Sequence, residues 1–389
     1  MNSQQCRDAE RIDQAERLLA GEESNGAPMP TPDHTEPAGQ RVRLLAPRVL
    51  TAADVLKLDI PAPDMLFEGF PVPRYGASLI VGAPKSGKTV LAVQEALSIA
   101  SGAPLFENYR VKHNPPLPAN TDPRPAKGVP VMLVEQDDPS GAATVQAILK
   151  RLKGAKDLPF HLVERVPFTF GPALLEWLEK QIAALKLQLI ILDSYTALRG
   201  SRAQGGDIVK AEQNDLTLLD EVSKRRLCGI QIIHHASKGS AALGWDSNAA
   251  GSFAMTAATE AQIHVSRFRD LNGAAPERLV RIRGRHAEDA EMVLRFQKET
   301  LDYALVIDGA AAELYPLLLE IHSALEFGTF TPKQLLEATG VSRATANRHI
   351  ARLHRAGALT KLDHGRYELM KLKGVFPEAH CTQKSQVAQ

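Results

Sequence analysis

The chain has 389 residues, 44% of them hydrophobic and 23% charged, which is the composition of a globular protein with two or three domains. Lys and Arg total 46 and Asp and Glu total 45, so nucleic acid would need a local basic patch. The three cysteines form no C-x-x-C pair, which argues against a zinc site or a disulfide framework. The first ten residues are polar and lack the apolar core of a signal peptide, and no uncharged apolar run approaches the roughly 20 residues of a membrane span. We therefore expect a cytoplasmic protein without a membrane partner.

Residues 1–50 are rich in Gln, Glu, Pro, Ala and Gly and cannot bury enough apolar surface to fold, so we predict a disordered arm. Buried apolar runs then alternate with helical patterns, which predicts an α/β fold with a doubly wound, mostly parallel sheet. The predicted strands are 77–82, 129–135, 160–163, 187–192, 229–234, 261–267 and 279–283. The predicted helices are 89–101, 140–153, 171–185 and 207–227.

The strand pattern ends near residue 310, and a second domain is predicted at 311–375, followed by a disordered tail at 376–389. The helices of this domain are predicted at 314–325, 332–339 and 343–355. Two short runs on either side of Asp363-His-Gly predict a β-hairpin. This spacing resembles a small winged helix-turn-helix domain, with the hairpin as its wing.

A phosphate-binding motif follows the first buried strand: Gly82-Ala-Pro-Lys-Ser-Gly-Lys-Thr89 fits G-x-x-x-x-G-K-[ST] at every fixed position. The glycines let the backbone wrap around phosphate, the N–H groups of the loop point at it, and the following helix adds its positive end. Lys88 is expected to reach the β- and γ-phosphates. The residues expected to bind ATP are Gly82, Ala83, Pro84, Lys85, Ser86, Gly87, Lys88, Thr89 and Val90.

A Mg²⁺ site and a general base are expected at the ends of two other strands. The apolar strand Leu189-Ile-Ile-Leu-Asp193 ends in a carboxylate, and we expect Asp193 to bind Mg²⁺ through water. Thr89 would ligate the metal through its hydroxyl, which donates to Asp193. Glu135, at the tip of its strand, is the first candidate for the base that orients the attacking water, and Asp137 competes for this role.

The next predicted strand ends in the histidine motif His234-His-Ala-Ser-Lys-Gly239. We expect His234 or His235 to contact the γ-phosphate or its water and to report hydrolysis to the segment that follows. Metal ligation by the pair is disfavoured, because no Cys and no third His lies nearby.

Together, the phosphate-binding motif, Glu135, Asp193 and the histidine motif resemble RecA-fold ATPases of the RepA-type plasmid replicative helicase family. The wider group includes DnaB-type helicases and RecA itself. The resemblance covers roughly the stretch 60–300. It implies a RecA-like P-loop ATPase domain, which we place at 51–310, with Glu135 as the catalytic base.

The same resemblance implies partners. Such proteins form homo-oligomeric rings, usually hexamers, with ATP bound between subunits. The loop after the histidine motif, residues 238–252, would line a central channel and contact single-stranded DNA, and Lys238 would bind backbone phosphate.

The sequence departs from this family at one position. RepA-type helicases carry an arginine shortly after this loop that reaches into the neighbour's ATP site, and Asn248-Ala-Ala-Gly-Ser252 has none. DnaB-type proteins use basic residues of a late strand instead, and Arg281, Arg283 and Arg285 have a similar setting, on one face of the strand if it is regular. Arg283 or Arg285 of a neighbour is then expected to offset transition-state charge. The alternative is a solvated face of an edge strand.

The last helix of the winged helix-turn-helix is expected to enter the major groove of double-stranded DNA. Residues 343–355 include four Arg and one Asn but no acidic residue. The expected DNA contacts are Arg343, Thr345, Asn347, Arg348 and, in the wing, Arg366. The alternative use of this domain is protein contact or ring assembly.

The sequence as a whole predicts an ATP-dependent DNA-binding motor that uses ATP and Mg²⁺. Its closest functional description is a ring-forming, replicative-type DNA helicase of a plasmid, phage or mobile element. Two alternatives remain open. One is a DNA-binding ATPase switch or regulator, and the other is an ATPase whose winged helix binds a protein partner.

Overall fold

The computed structural model describes residues 50–57, 64–112, 128–137, 141–152, 154–199, 208–235, 255, 258–267, 276–286, 288–325 and 329–370. The chain divides into two units, residues 1–60 and residues 61–389. In the first unit, helix α1 (Ala52–Val55) begins after Thr51, whose side chain accepts a hydrogen bond from the backbone of Asp54. All but the last residue of the predicted N-terminal arm, and the whole predicted C-terminal tail, lie outside the described residues.

A nine-stranded sheet forms the centre of the second unit. Its strands are β1 (Gly76–Gly82), β2 (Val131–Glu135), β3 (Phe160–Glu164), β4 (Leu189–Asp193), β5 (Gly229–His235), β6 (Ala261–Arg267), β7 (Glu277–Gly284), β8 (Ala290–Gln297) and β9 (Asp302–Asp308). Their order is β3-β2-β4-β5-β1-β6-β7-β8-β9. The strands from β3 to β6 in this order are parallel, and β6 to β9 are antiparallel. The structure therefore confirms the predicted α/β fold with a mostly parallel sheet.

Helices cover both faces of the parallel strands. They are α2 (Lys88–Ser101), α3 (Gly141–Leu149), α4 (Pro172–Leu185), α5 (Tyr195–Arg199) and α6 (Ile208–Arg226). Alternate strand residues face opposite layers: Leu133, Ile191 and Ile233 pack with α2 and α3, whereas their neighbours Val134 and Ile232 pack with α4 and α6. Because both faces are covered, β1, β2 and β4 are buried along their whole length, which explains their continuous apolar sequences.

Two strands of the antiparallel end, β8 and β9, were not among those predicted from the sequence. β8 carries charged residues, and its pairing with β9 shifts register between Val293 and Leu294. A register shift interrupts the two-residue alternation by which a half-buried strand is recognised. The apolar residues of this hairpin therefore show no regular strand pattern.

The winged-helix elements in the C-terminal part of the second unit are the three helices and the β-hairpin that the sequence predicts, together with one short strand that was not predicted. These are α7 (Tyr315–Leu325), β10 (Thr329–Phe330), α8 (Pro332–Thr339), α9 (Arg343–Arg355), β11 (Leu359–Lys361) and β12 (Tyr367–Leu369). Thr331 caps α8, Gly340 ends it with φ of 68°, and Ser342 caps α9. The core of this part is continuous with Leu279 and Val293 of the large sheet. Among the described residues, none of the helices has both the length and the apolarity that a bilayer crossing requires.

Candidate functional site

The phosphate-binding motif connects the end of β1 to the start of α2, as the sequence predicts. Gly87 has φ of 98°, a left-handed conformation that favours glycine, and a Cβ at this position would overlap the hydroxyl of Tyr303. Glycine is thus required for both the turn and the close packing. Lys88, the first residue of α2, is buried, and its Nζ donates to the carbonyl oxygens of Gly82 and Ala83, each at 3.0 Å.

The carboxyl ends of the parallel strands bring distant polar residues to this motif. Gly82 is the register partner of His235, and Glu135 that of Asp193. Because side chains alternate along a strand, Glu135, Asp193 and His235 face the same side of the sheet as α2. Residues from the ends of three separate strands therefore form one polar site beside Lys88.

The Thr89 hydroxyl donates to Asp193 Oδ2 at 2.6 Å, as predicted for a Mg²⁺ site. Burial raises the pKa of Asp193, and the hydrogen bond from Thr89 opposes that rise. A hydroxyl and a carboxylate are hard oxygen ligands of the kind that Mg²⁺ takes, usually with phosphate oxygens and water. Within the described part of the chain, no group of three or more His, Cys, Asp and Glu could hold a metal. Thr89 and Asp193 would hold Mg²⁺ together with the phosphates of the nucleotide.

His235 connects Lys88 to Asp137. The Nδ1 atom of His235 lies 3.1 Å from Lys88 Nζ, and its Nε2 atom lies 2.8 Å from Asp137 Oδ2. A neutral imidazole that accepts from the ammonium at Nδ1 carries its proton at Nε2 and donates it to the carboxylate. Burial lowers the pKa of Lys88 to about 8, and the charges of Asp193 and Asp137 oppose this shift.

His234 faces the opposite side of the sheet. Its ring is buried and makes an edge contact with Tyr195, with centroids 5.9 Å apart. Burial, followed by the charges of His235 and Arg199, lowers the pKa of His234 to about 4, so the ring is neutral at physiological pH. The structure therefore brings His235, and not His234, to the phosphate-binding motif.

The two candidates for the general base lie in different surroundings. Glu135 is buried at the end of β2, and its Oε1 accepts a hydrogen bond from the backbone N–H of Asp137 at 3.2 Å. A Cβ on Gly141, at the start of α3, would overlap the Glu135 side chain, so α3 limits where Glu135 can lie. The Asp137 side chain is 44% exposed and contacts His235.

Three residues beside the motif were not identified from the sequence. Arg267 donates to the carbonyl oxygen of Lys85, and Arg278 donates through Nε to that of Ser86 at 2.8 Å. Arg267 and Arg278 are register partners in the antiparallel ladder of β6 and β7, and Tyr303 of β9 lies against Gly87. Strand order could have indicated them, because antiparallel pairing places the start of β7 beside the end of β6.

The arginines considered as trans-acting fingers extend from the middle of β7 to just beyond its other end. Arg281 pairs with Glu291 and Glu313, Arg283 with Asp289 at 3.1 Å, and Arg285 with Glu260 at 3.8 Å; Arg285 follows the last strand residue. Each strand residue advances about 3.4 Å, so the backbones of Arg283 and Arg278 are roughly 17 Å apart. Arg283 is therefore remote from the motif of its own chain.

The residues predicted to contact DNA differ in exposure. Arg343, Asn347 and Arg348 are exposed on α9. Thr345 is half-buried, and its hydroxyl is hydrogen-bonded to Ser342 at 3.0 Å. The exposed Arg366 donates to the hydroxyl of Thr329. Lys238 and the rest of the loop 238–252 lie outside the described residues.

Comparisons with solved structures found proteins of low sequence identity. A structure described as an ATPase domain is 12% identical over 59% of this chain and 84% of its own, with a TM-score of 0.43. The RadB recombinase is 14% identical over 59% of this chain and 90% of its own, with a TM-score of 0.42. A DnaB-like replicative helicase, described with its primase interactions, is 12% identical over 62% of each chain, with a TM-score of 0.44. No curated protein matches the sequence.

Two family models match the chain. The AAA domain model matches residues 40–241, and a model described as transcriptional regulator, AbiEi antitoxin, matches residues 318–369, which contain the winged-helix elements. The predicted P-loop core with a mostly parallel sheet and the predicted C-terminal helix-turn-helix domain are thus confirmed. Since the first match spans more than half of the 389 residues, the chain belongs to the AAA domain family.

Proposed function

We propose that this protein is an ATP-dependent DNA motor, acting as a ring-forming, replicative-type helicase of a plasmid, phage or mobile element. The observation that carries the proposal is the contact of Lys88 with His235. His235 is the last residue of β5 and directly precedes the segment 236–252, which includes the predicted single-stranded DNA loop. A side chain placed there can transmit the state of the γ-phosphate to bound DNA.

Within this proposal, Lys88 binds the β- and γ-phosphates, and Thr89 and Asp193 hold Mg²⁺. The metal supplies neutralisation of phosphate charge. Glu135 orients the attacking water and accepts its proton as the bond from the water oxygen to the γ-phosphorus forms and the bond to ADP breaks. Asp137 remains the alternative base.

The contacts of Lys88 suggest how the nucleotide and His235 are coupled. Lys88 Nζ donates to the carbonyl oxygens of Gly82 and Ala83 and contacts His235. A γ-phosphate is a stronger acceptor than a backbone carbonyl oxygen or an imidazole nitrogen, because it is charged. Binding of the γ-phosphate would draw the Lys88 ammonium away from His235. The Nδ1 atom of His235 could then accept a hydrogen bond from another donor.

Oligomerisation and DNA binding complete the proposal. Arg283 or Arg285 would act on the nucleotide of the next subunit in a ring, which we propose to be a hexamer. The loop containing Lys238 would bind single-stranded DNA. Double-stranded DNA would contact the winged helix through Arg343, Thr345, Asn347, Arg348 and Arg366.

The test is ATP turnover with and without single-stranded DNA, run beside unwinding of a forked duplex. We expect DNA to stimulate turnover and the fork to be separated. The Lys88→Ala variant should lose hydrolysis, and His235→Ala should hydrolyse ATP without stimulation by DNA. Hydrolysis by Lys88→Ala would contradict the site assignment, and stimulation without unwinding would contradict the helicase.

A second candidate function is a DNA-binding ATPase switch. The match of residues 318–369 to a family described as transcriptional regulator, AbiEi antitoxin, favours it. This candidate predicts that ATP changes the affinity for duplex DNA and that no strands separate. Turnover that DNA leaves unchanged would instead favour the winged helix as a site for a protein partner.

A further inference from the structure

We propose that Arg278 is a positioning residue of the nucleotide site, which holds the phosphate-binding loop from its outer side. The inference rests on the proposed binding of ATP. Arg278 is half-buried near the start of β7, 192 residues along the chain from the Ser86 carbonyl to which its Nε donates at 2.8 Å. Its Nη1 donates to the carbonyl oxygen of Glu277, also at 2.8 Å, so the guanidinium is fixed from two sides.

The bond to Ser86 fixes the orientation of one peptide of the loop. A trans peptide points its carbonyl oxygen and its N–H in opposite directions. A Ser86 carbonyl held toward β7 therefore directs the N–H of Gly87 to the other side of the peptide. A phosphate-binding loop works through N–H groups that converge on the anion, and Arg278 stabilises one such orientation before any ligand binds.

Tyr303 holds the same turn from β9. Its side chain is buried, its hydroxyl lies against Gly87, and the hydroxyl is hydrogen-bonded to Arg278. Burial raises the pKa of Tyr303, and the charge of Arg278 opposes that rise, so the phenol stays protonated at physiological pH. The backbone of Tyr303 also exchanges two hydrogen bonds with the Gln94 amide of α2, each at 2.8 Å.

These contacts form a support for the loop that reaches it from the antiparallel strands. Arg267, the register partner of Arg278, adds a hydrogen bond to the carbonyl oxygen of Lys85. A loop whose shape is fixed in advance loses less conformational freedom on binding, which increases affinity. This contribution is the same for bound ATP and for the transition state, so its loss should raise KM and leave kcat nearly unchanged.

The experiment measures the Kd of a fluorescent ATP analogue, and kcat and KM for ATP, in the full chain and in Arg278→Gln. A hydrogen bond from a charged group contributes more free energy than one between neutral groups. We therefore predict that Kd and KM rise by about tenfold or more in Arg278→Gln, while kcat stays within about twofold of the wild type. Arg278→Lys keeps the charge but not the planar fork, and we expect it to restore affinity only in part. Wild-type affinity in Arg278→Lys would show that the positive charge alone is sufficient, and would overturn the proposal that Arg278 positions the loop.

The matched control is Arg151→Gln. Arg151 also donates through Nε to a backbone carbonyl distant in sequence, that of Glu299 at 2.9 Å, and its substitution should leave ATP binding unchanged. A structural role of Arg278 would reduce the folded fraction, and so lower apparent kcat and the melting temperature at constant KM. That result, or unchanged Kd in Arg278→Gln and Arg278→Lys, would overturn the inference while wild-type binding still supports the ATP site. Absence of nucleotide binding by the wild type would overturn both.

Discussion

At the scale of the residue, a buried carboxyl of α2 gives the stability of the protein a pH dependence. Glu95 is fully buried in α2, near Gln231 of β5. Burial raises the pKa of Glu95 to about 8 from an ordinary value of 4.5, and the neighbouring Gln231 opposes the rise. At neutral pH the folded protein therefore keeps a proton that the unfolded chain releases. Between these two pKa values, rising pH lowers the free energy of unfolding.

We predict that Glu95→Gln removes this dependence, because the amide cannot ionise. The measurement is chemical unfolding of both proteins between about pH 7 and pH 8, a window above the ordinary histidine pKa of about 6.5 and below the raised pKa of Glu95. His234 and His264, whose pKa values burial lowers to about 4, titrate below that window. The free energy of unfolding should fall with pH in the wild type and less steeply in Glu95→Gln. Equal slopes would show that Glu95 does not retain its proton.

Site residues that belong to a sequence motif were predictable, whereas those that strand pairing brings to the site were not. The Gly82–Thr89 pattern led directly to Lys88 and Thr89, and the apolar run before Asp193 led to its carboxylate. Choosing between His234 and His235 required knowing which side of the sheet each faces, and two adjacent histidines have no pattern that decides it. Arg278 reaches the loop only through antiparallel pairing, which no local sequence signal encodes.

At the scale of the element, burial determined which strands the sequence revealed. β1, β2 and β4 are covered on both faces and were predicted within two residues at each end. β8 and β9 lie at the antiparallel end, where a register shift interrupts the alternation, and they were missed. Helices α8 and α9 were predicted with their observed ends, because Thr331, Gly340 and Ser342 provide local caps.

The start of α3 provides a test of Glu135 as the general base. A Cβ on Gly141 would overlap the Glu135 side chain, so we predict that Gly141→Ala displaces this carboxylate and lowers kcat by about tenfold or more, with little change in KM for ATP. The control is Gly171→Ala, since a Cβ there meets no atom within 4 Å. Steady-state kinetics measures both variants. An unchanged kcat in Gly141→Ala would favour Asp137 as the base.

At the scale of the whole molecule, one strand contacts both the nucleotide site and the winged helix. Arg278 of β7 donates to the loop carbonyl of Ser86, while its neighbour Glu277 pairs with Arg295 and accepts a hydrogen bond from Tyr315 of α7 at 3.3 Å. The apolar core of the winged helix also includes Leu279 of the same strand. β7 is thus a direct physical connection between the two parts of the second unit.

The opposite end of β7 allows a test of assembly. Arg283 is separated from Arg278, which contacts the loop of its own chain, by roughly 17 Å of extended backbone. An Arg283 that takes part in catalysis therefore acts on a neighbouring subunit, through a head-to-tail interface of the kind that closes rings.

We predict that Arg283→Ala and Lys88→Ala are each inactive alone but regain activity when mixed. In a mixed ring, a Lys88→Ala subunit supplies an intact Arg283 to the intact phosphate-binding loop of an Arg283→Ala subunit. With random exchange of equal amounts, about a quarter of the sites combine both intact parts. The measurement is ATP turnover after mixing, with the unmixed variants as controls. Turnover no higher than theirs, in rings shown to exchange subunits, would contradict a trans-acting Arg283, and the same design applied to Arg285 would decide which arginine completes the site.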